Sequence, residues 1–163
     1  MCQRTKNSPA STYTNHSEDS CLVAFLIHYS KMSVFSVTNA VVKEGTVIRI
    51  EGKIAPDADA FSVNLGSDSE NIALHFNPRF QDDGGVIVVN SMSKGSWQAE
   101  QIEKAFPFKK GTVTELKVRV KRDMFVVEGP HNLKVEFRDR LHLPSITTIF
   151  IIGKFNLTAY DIH

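Results

Sequence analysis

Three polar side chains sit at every second position of Ile72-Ala73-Leu74-His75-Phe76-Asn77-Pro78-Arg79-Phe80. In an extended strand, successive side chains point to opposite faces. Leu74, Phe76, Pro78 and Phe80 then share an apolar face, and His75, Asn77 and Arg79 share the other. Neighbours in the polar row are about 7 Å apart, at roughly 3.3–3.4 Å per residue. An imidazole, an amide and a guanidinium in one row place hydrogen-bond donors and acceptors side by side. Pro78 has no N–H to donate, which predicts a bulge or a sheet-edge position for this strand.

Val86–Asn90 is expected to return beside it across the turn Asp82-Asp83-Gly84-Gly85. Val88 and Asn90 would share a face, which adds a second amide. Trp97 is the only tryptophan, and a lone tryptophan is more often core than site, but this one follows a polar turn and is flanked by Gly95-Ser96 and Gln98, which favours the surface. Glu100 follows three residues later. The set is then an aromatic plate, two amides, a guanidinium, an imidazole and a carboxylate. The ligand that suits it is a sugar. One face of a pyranose is a plate of C–H groups that stacks on an indole, and its hydroxyls both donate and accept.

Other chemistries fit less well. A glycoside hydrolase needs two carboxylates flanking the scissile bond, roughly 5 Å or 6.5–9.5 Å apart. Glu100 is the only acid in the strip, and Asp82-Asp83 fall on a turn. His75 has no second His or Cys at metal-ligand spacing. The expectation is a binding protein with no catalytic residue, no metal and no cofactor.

The elements that must position these groups read as strands. Leu116, Val118 and Val120 alternate with Lys117, Arg119 and Lys121, the pattern of a strand with one wet face. Leu133, Val135 and Phe137 alternate with Lys134, Glu136 and Arg138 in the same way. Thr46–Glu51, Phe61–Leu65, Ile72–Phe80, Val86–Asn90, Met124–Glu128, Thr147–Ile152 and Phe155–Tyr160 are also strand-like. Turn signals such as Pro56-Asp57, Lys94-Gly95, Lys110-Gly111 and Gly129-Pro130 separate them. Only Gln98–Ala105 has helical propensity. The predicted fold is all-β, an antiparallel β-sandwich of two sheets.

Size and charge agree with one such domain. The chain has 163 residues, of which 42% are hydrophobic and 23% charged, ordinary values for a globular chain. A formal net charge of +1 offers no basic footprint for nucleic acid. No apolar run approaches the roughly 20 residues that span a bilayer. Cys2 and Cys21 are the only cysteines, which excludes a disulfide scaffold. From Met32 onward there is no cysteine, so binding in air should match binding with reductant.

Residues 1–31 read as an N-terminal extension, polar and disordered over its first twenty positions, and residues 32–163 as the domain. The apolar run Cys21–Ile27 is too short and too late for a signal peptide, and His28-Tyr29-Ser30-Lys31 is no cleavage site. Translation from Met32 would leave the predicted domain intact. Asn15-His16-Ser17 and Asn156-Leu157-Thr158 match the glycosylation acceptor pattern, which matters only on the secretory route.

The combined residues resemble the galectin carbohydrate-recognition domain over about 32–163. The likeness rests on His75-Phe76-Asn77-Pro78-Arg79-Phe80, Val88-Val89-Asn90-Ser91, Trp97-Gln98-Ala99-Glu100 and Phe106-Pro107-Phe108. Phe61–Gly66 and the ending Leu157–Ile162 add to it. The resemblance implies a jelly-roll sandwich that binds β-galactosides such as lactose and N-acetyllactosamine on glycoproteins and glycolipids. It implies that His75, Asn77 and Arg79 bond the axial O4 of galactose and that Trp97 stacks under the ring. Asn90 and Glu100 would hold O6, with Glu100 orienting Arg79. It further implies a homodimer through the terminal strands, about Val34–Val42 and Leu157–His163, and a cytoplasmic protein also found outside the cell without a signal peptide.

Two positions depart from the pattern. Where such domains usually carry an arginine two residues after the glutamate, this chain has Ile102, which should weaken preference for the second sugar. The Asp82–Gly85 turn is short, which opens the same end. The competing expectation is a crystallin-like structural protein that keeps the fold with weak or no sugar binding.

Overall fold

The computed structural model describes residues 34–81 and 84–163 in full, and the backbone alone of 10–15, 22–29, 32 and 33. The strands are β1 (Ala10–Asn15), β2 (Leu22–Tyr29), β3 (Met32–Thr38), β4 (Val47–Ile54), β5 (Phe61–Gly66), β6 (Ile72–Arg79) and β7 (Val86–Ser93). They continue with β8 (Ser96–Trp97), β9 (Gln101–Glu103), β10 (Val113–Lys121), β11 (Met124–Glu128), β12 (Lys134–Arg138), β13 (Thr148–Gly153) and β14 (Phe155–Ile162). One sheet has the order β1-β2-β3-β13-β5-β6-β7-β8, with β9 also on β7, and the other β12-β11-β10-β4-β14. Every pairing is antiparallel. The expected two-sheet sandwich is present.

Period-two patterning builds the second sheet. On β10, Thr114, Leu116, Val118 and Val120 are buried, while Glu115, Lys117 and Arg119 face outward. The outward row is laced by Arg49–Glu115 at 2.6 Å, Lys117–Glu115 at 3.2 Å and Arg119–Glu128 at 3.0 Å. Phenylalanines bridge the two sheets, with Phe61 of β5 stacked on Phe155 of β14 at 4.9 Å between ring centroids. Phe76, Phe125 and Phe137 are fully buried beside them. Aromatic pairs of this kind add about 0.5–1.5 kcal/mol beyond their area.

One local expectation needs correction and one needs narrowing. Gln98–Ala105 is not helical, and Gln101–Glu103 within it is a strand. Gln98 N donates to Ser91 O at 2.9 Å, and Gln101–Glu103 pairs with β7. Ladder pairing with a strand edge outweighs a helical preference of a few tenths of a kcal/mol per residue. The strand of Pro78 is not at an edge, since β6 has β5 on one side and β7 on the other, but it does bulge, with a register shift against each neighbour between Ile72 and His75. The ladder to β5 lapses at the proline. Phe80 N donates to Asp59 O at 2.8 Å, so two residues back Pro78 occupies the next hydrogen-bonded position, facing Phe61.

The extension contributes β1 and β2, which pair with one another and, through β2, with β3. The remaining residues for which disorder was expected, 1–9 and 16–20, lie outside the described residues, as do Asp82 and Asp83 of the short turn.

Candidate functional site

The polar row of β6 is set first. Asn64 on β5 lies opposite His75. Its Nδ2 donates to Ser62 Oγ at 3.0 Å and to Phe150 O at 3.1 Å, so its Oδ1 faces His75 Nδ1 at 2.5 Å. An amide oxygen only accepts, so Nδ1 carries the proton and Nε2 is left as an acceptor. Burial pushes the His75 pKa down to about 4, and the positive charge of Arg79 adds to the effect. The imidazole is therefore neutral at pH 7, with one lone pair to offer a hydroxyl.

Asn77 is tied at both ends. Its Nδ2 donates to Phe61 O at 2.7 Å, the carbonyl that Pro78 has no N–H to reach. Its Oδ1 accepts from Arg79 Nε at 2.8 Å. The proline thus frees a carbonyl, the carbonyl orients the amide, and the amide orients the guanidinium. Arg79 Nη2 also donates to Glu100 Oε1 at 3.4 Å. Both side chains are exposed, so this ion pair adds little stability. It does hold the arginine fork across the strip.

The aromatic plate comes from a tight hairpin. Ser93 pairs with Ser96, and the two residues between them have positive φ, 49° at Lys94 and 75° at Gly95. That is the primed turn that two-residue hairpins favour. Asn71 Oδ1 accepts from Lys94 N at 3.1 Å, and Glu70 O accepts from Gly95 N at 2.9 Å. Trp97 emerges half exposed, at 49%, with its ring 4.6 Å from that of His75.

Asn90 faces His75 across the β6–β7 pair but is only 3% exposed. Its Nδ2 donates to Gln98 O at 2.9 Å, and its Oδ1 accepts from Ser91 N at 2.8 Å. One N–H remains for a ligand, so its larger role is to hold the Trp97–Glu100 arm. Two long side chains tie the same arm to residues beyond the first sheet, one reaching in and one reaching out. Arg140 Nη1 donates to Ala99 O at 2.6 Å, and Gln101 Nε2 donates to Glu136 O at 2.9 Å.

All six predicted residues therefore converge on one face of the first sheet. The structure adds Asn64 and Ser62, whose signal was visible as polar residues alternating with Phe61, Val63 and Leu65. Arg140 and Gln101 had no local signal, because their contacts span 41 and 35 residues. Ile102 lies opposite Val88, which lies opposite Asn77, so the three form one row across β9, β7 and β6. Ile102 is 56% exposed.

The sandwich and its strip of hydrogen-bonding groups beside an exposed indole define a lectin-type carbohydrate-recognition domain. A family model described as Galactoside-binding lectin matches residues 33–162. Galectin-1 of Ovis aries is 39% identical over 122 residues, covering 74% of this chain and 90% of that one. Among solved structures, CG-16, a homodimeric agglutinin from chicken liver, aligns with a TM-score of 0.75 and 34% identity, over 80% of this chain and 99% of that one. The complex of toad ovary galectin with thio-digalactose aligns with a TM-score of 0.74 and 32% identity, over 80% and 98%. The chain belongs to the galectins, the galactoside-binding lectin family.

Proposed function

We propose that this protein is a lectin that binds β-galactosides on glycoconjugates through residues 32–163, with residues 1–31 as an extension. The observation that carries this reading is the His75-Asn77-Arg79 row, locked by Asn64 and Phe61 O, beside a half-exposed Trp97. The axial O4 of galactose donates its proton to His75 Nε2 and accepts from Asn77 and Arg79. The C–H face of the ring lies on Trp97. O6 reaches the remaining Asn90 N–H and the Glu100 carboxylate.

The chemistry is recognition without bond cleavage. Glu100 faces a guanidinium in the strip, as an orienting acceptor would, and not a second carboxylate across a scissile bond. The aligned chicken agglutinin is homodimeric, and a pair of copies joined through Val34–Val42 and Leu157–His163 would carry two sites and gain avidity on crowded glycans.

Ile102 is the one observation that favours a structural role without sugar. A lactosyl resin separates the two readings. The lectin reading expects retention with release by lactose and not by sucrose, and a Trp97→Ala variant that flows through. Flow-through of the natural chain at low salt would establish the structural reading.

A further inference from the structure

Ile102 stands where a polar site has no evident use for it. Among the described residues, the large hydrophobic side chains left exposed are Val41, Trp97, Ile102 and Val113. Two of the four belong to one short arm, on either side of Glu100. Trp97 has a partner in the sugar ring. Ile102 continues the Asn77–Val88 row to the outer strand of the sheet. With strands about 4.8 Å apart, it sits roughly 10 Å from Asn77. A galactose laid along this row with O4 at Asn77 would send its O1 substituent toward Ile102.

We propose that Ile102 makes this end of the strip a ledge for an apolar aglycone, so that the site favours galactosides whose O1 carries an alkyl chain, as in galactosyl lipids. The inference rests on the galactoside reading above. An isoleucine offers no hydrogen bond to a second sugar, whose hydroxyls would lose water against it without a replacement partner. A methylene chain laid on it removes apolar surface from water on both sides. The charged neighbours do not cover the ledge. Glu100 is drawn to Arg79, and Glu103 accepts from Gln101.

Calorimetry of the full chain with methyl β-galactoside, hexyl β-galactoside and lactose tests this. Hexyl β-galactoside should bind about 5-fold more tightly than the methyl compound, the scale of a few tens of Å2 of apolar contact. Ile102→Ser and Ile102→Arg should both remove that gain, and Ile102→Ser should leave methyl β-galactoside affinity unchanged. Ile102→Arg should also tighten lactose. Equal binding of the methyl and hexyl compounds by the natural chain, or a hexyl gain that survives Ile102→Ser, would overturn the ledge and leave the galactoside reading standing. Absence of binding to methyl β-galactoside and lactose alike would overturn both.

Discussion

His75 titrates near pH 4 in the folded chain and near 6.5 when unfolded. As pH falls through that window, the unfolded state takes up the proton first, so folding loses free energy. The full loss is on the order of 3 kcal/mol. Urea unfolding at pH 7 and pH 4.5 should therefore show a larger drop for the natural chain than for His75→Gln. Sugar binding follows a related rule. If Nε2 must accept the O4 proton, lactose affinity is flat from pH 8 to about 5 and falls as pH approaches 4. Asn64 sets which nitrogen is free. Asn64→Ala leaves Nδ1 without its acceptor, and lactose affinity should fall roughly 10-fold, about the worth of one well-made hydrogen bond, with circular dichroism unchanged.

At the level of elements, the alternation along β10 was legible because it buries one face and wets the other, and that along β6 because its second face, though buried at Ala73 and Asn77, turns polar from His75 onward. The same period-two reading placed His75, Asn77 and Arg79 together before any pairing partner was known. The sequence reading failed at Pro78 only in allowing its strand an edge position, because the rule that keeps proline out of inner strands assumes no substitute donor. Asn77 Nδ2 is that substitute, one residue away. It failed at Gln98–Ala105 because the edge of β7, which draws this segment into a strand, is a tertiary fact. One buried position in β10 breaks its row. Thr114 Oγ1 has no hydrogen-bond partner among the described residues, though Leu116, Val118 and Val120 beside it are apolar. Thr114→Val keeps the shape and removes the orphan hydroxyl. It should stabilise the fold by about 1 kcal/mol, read as a higher urea midpoint with unchanged lactose affinity. Gly85 is the opposite case. It has φ +81°, and an added Cβ would lie 2.7 Å from the Phe106 ring and 2.8 Å from Arg79 O. Gly85→Ala should cost about 1–3 kcal/mol in the same assay and weaken lactose binding through Arg79.

For the whole molecule, the extension bears on assembly. β3 has β13 on one edge and β2 on the other. A partner that sought the β3 edge would have to displace β2. Among the described residues, the apolar core draws on Phe35 and later positions, so a chain beginning at Met32 retains it. Sedimentation at a few micromolar should show more dimer for that shorter chain than for the full one. Equal association would mean that the extension leaves the interface open.

The most direct measurement is calorimetry of the full chain with lactose and with cellobiose, which differ only in the configuration at C4 of the first ring. In the proposed site, His75, Asn77 and Arg79 would all meet one axial hydroxyl, and an equatorial one would leave them unpaired at roughly 1–3 kcal/mol each. The account predicts binding of lactose, no measurable binding of cellobiose, and loss of the lactose signal in Arg79→Ala. Equal heats for the two disaccharides would contradict it.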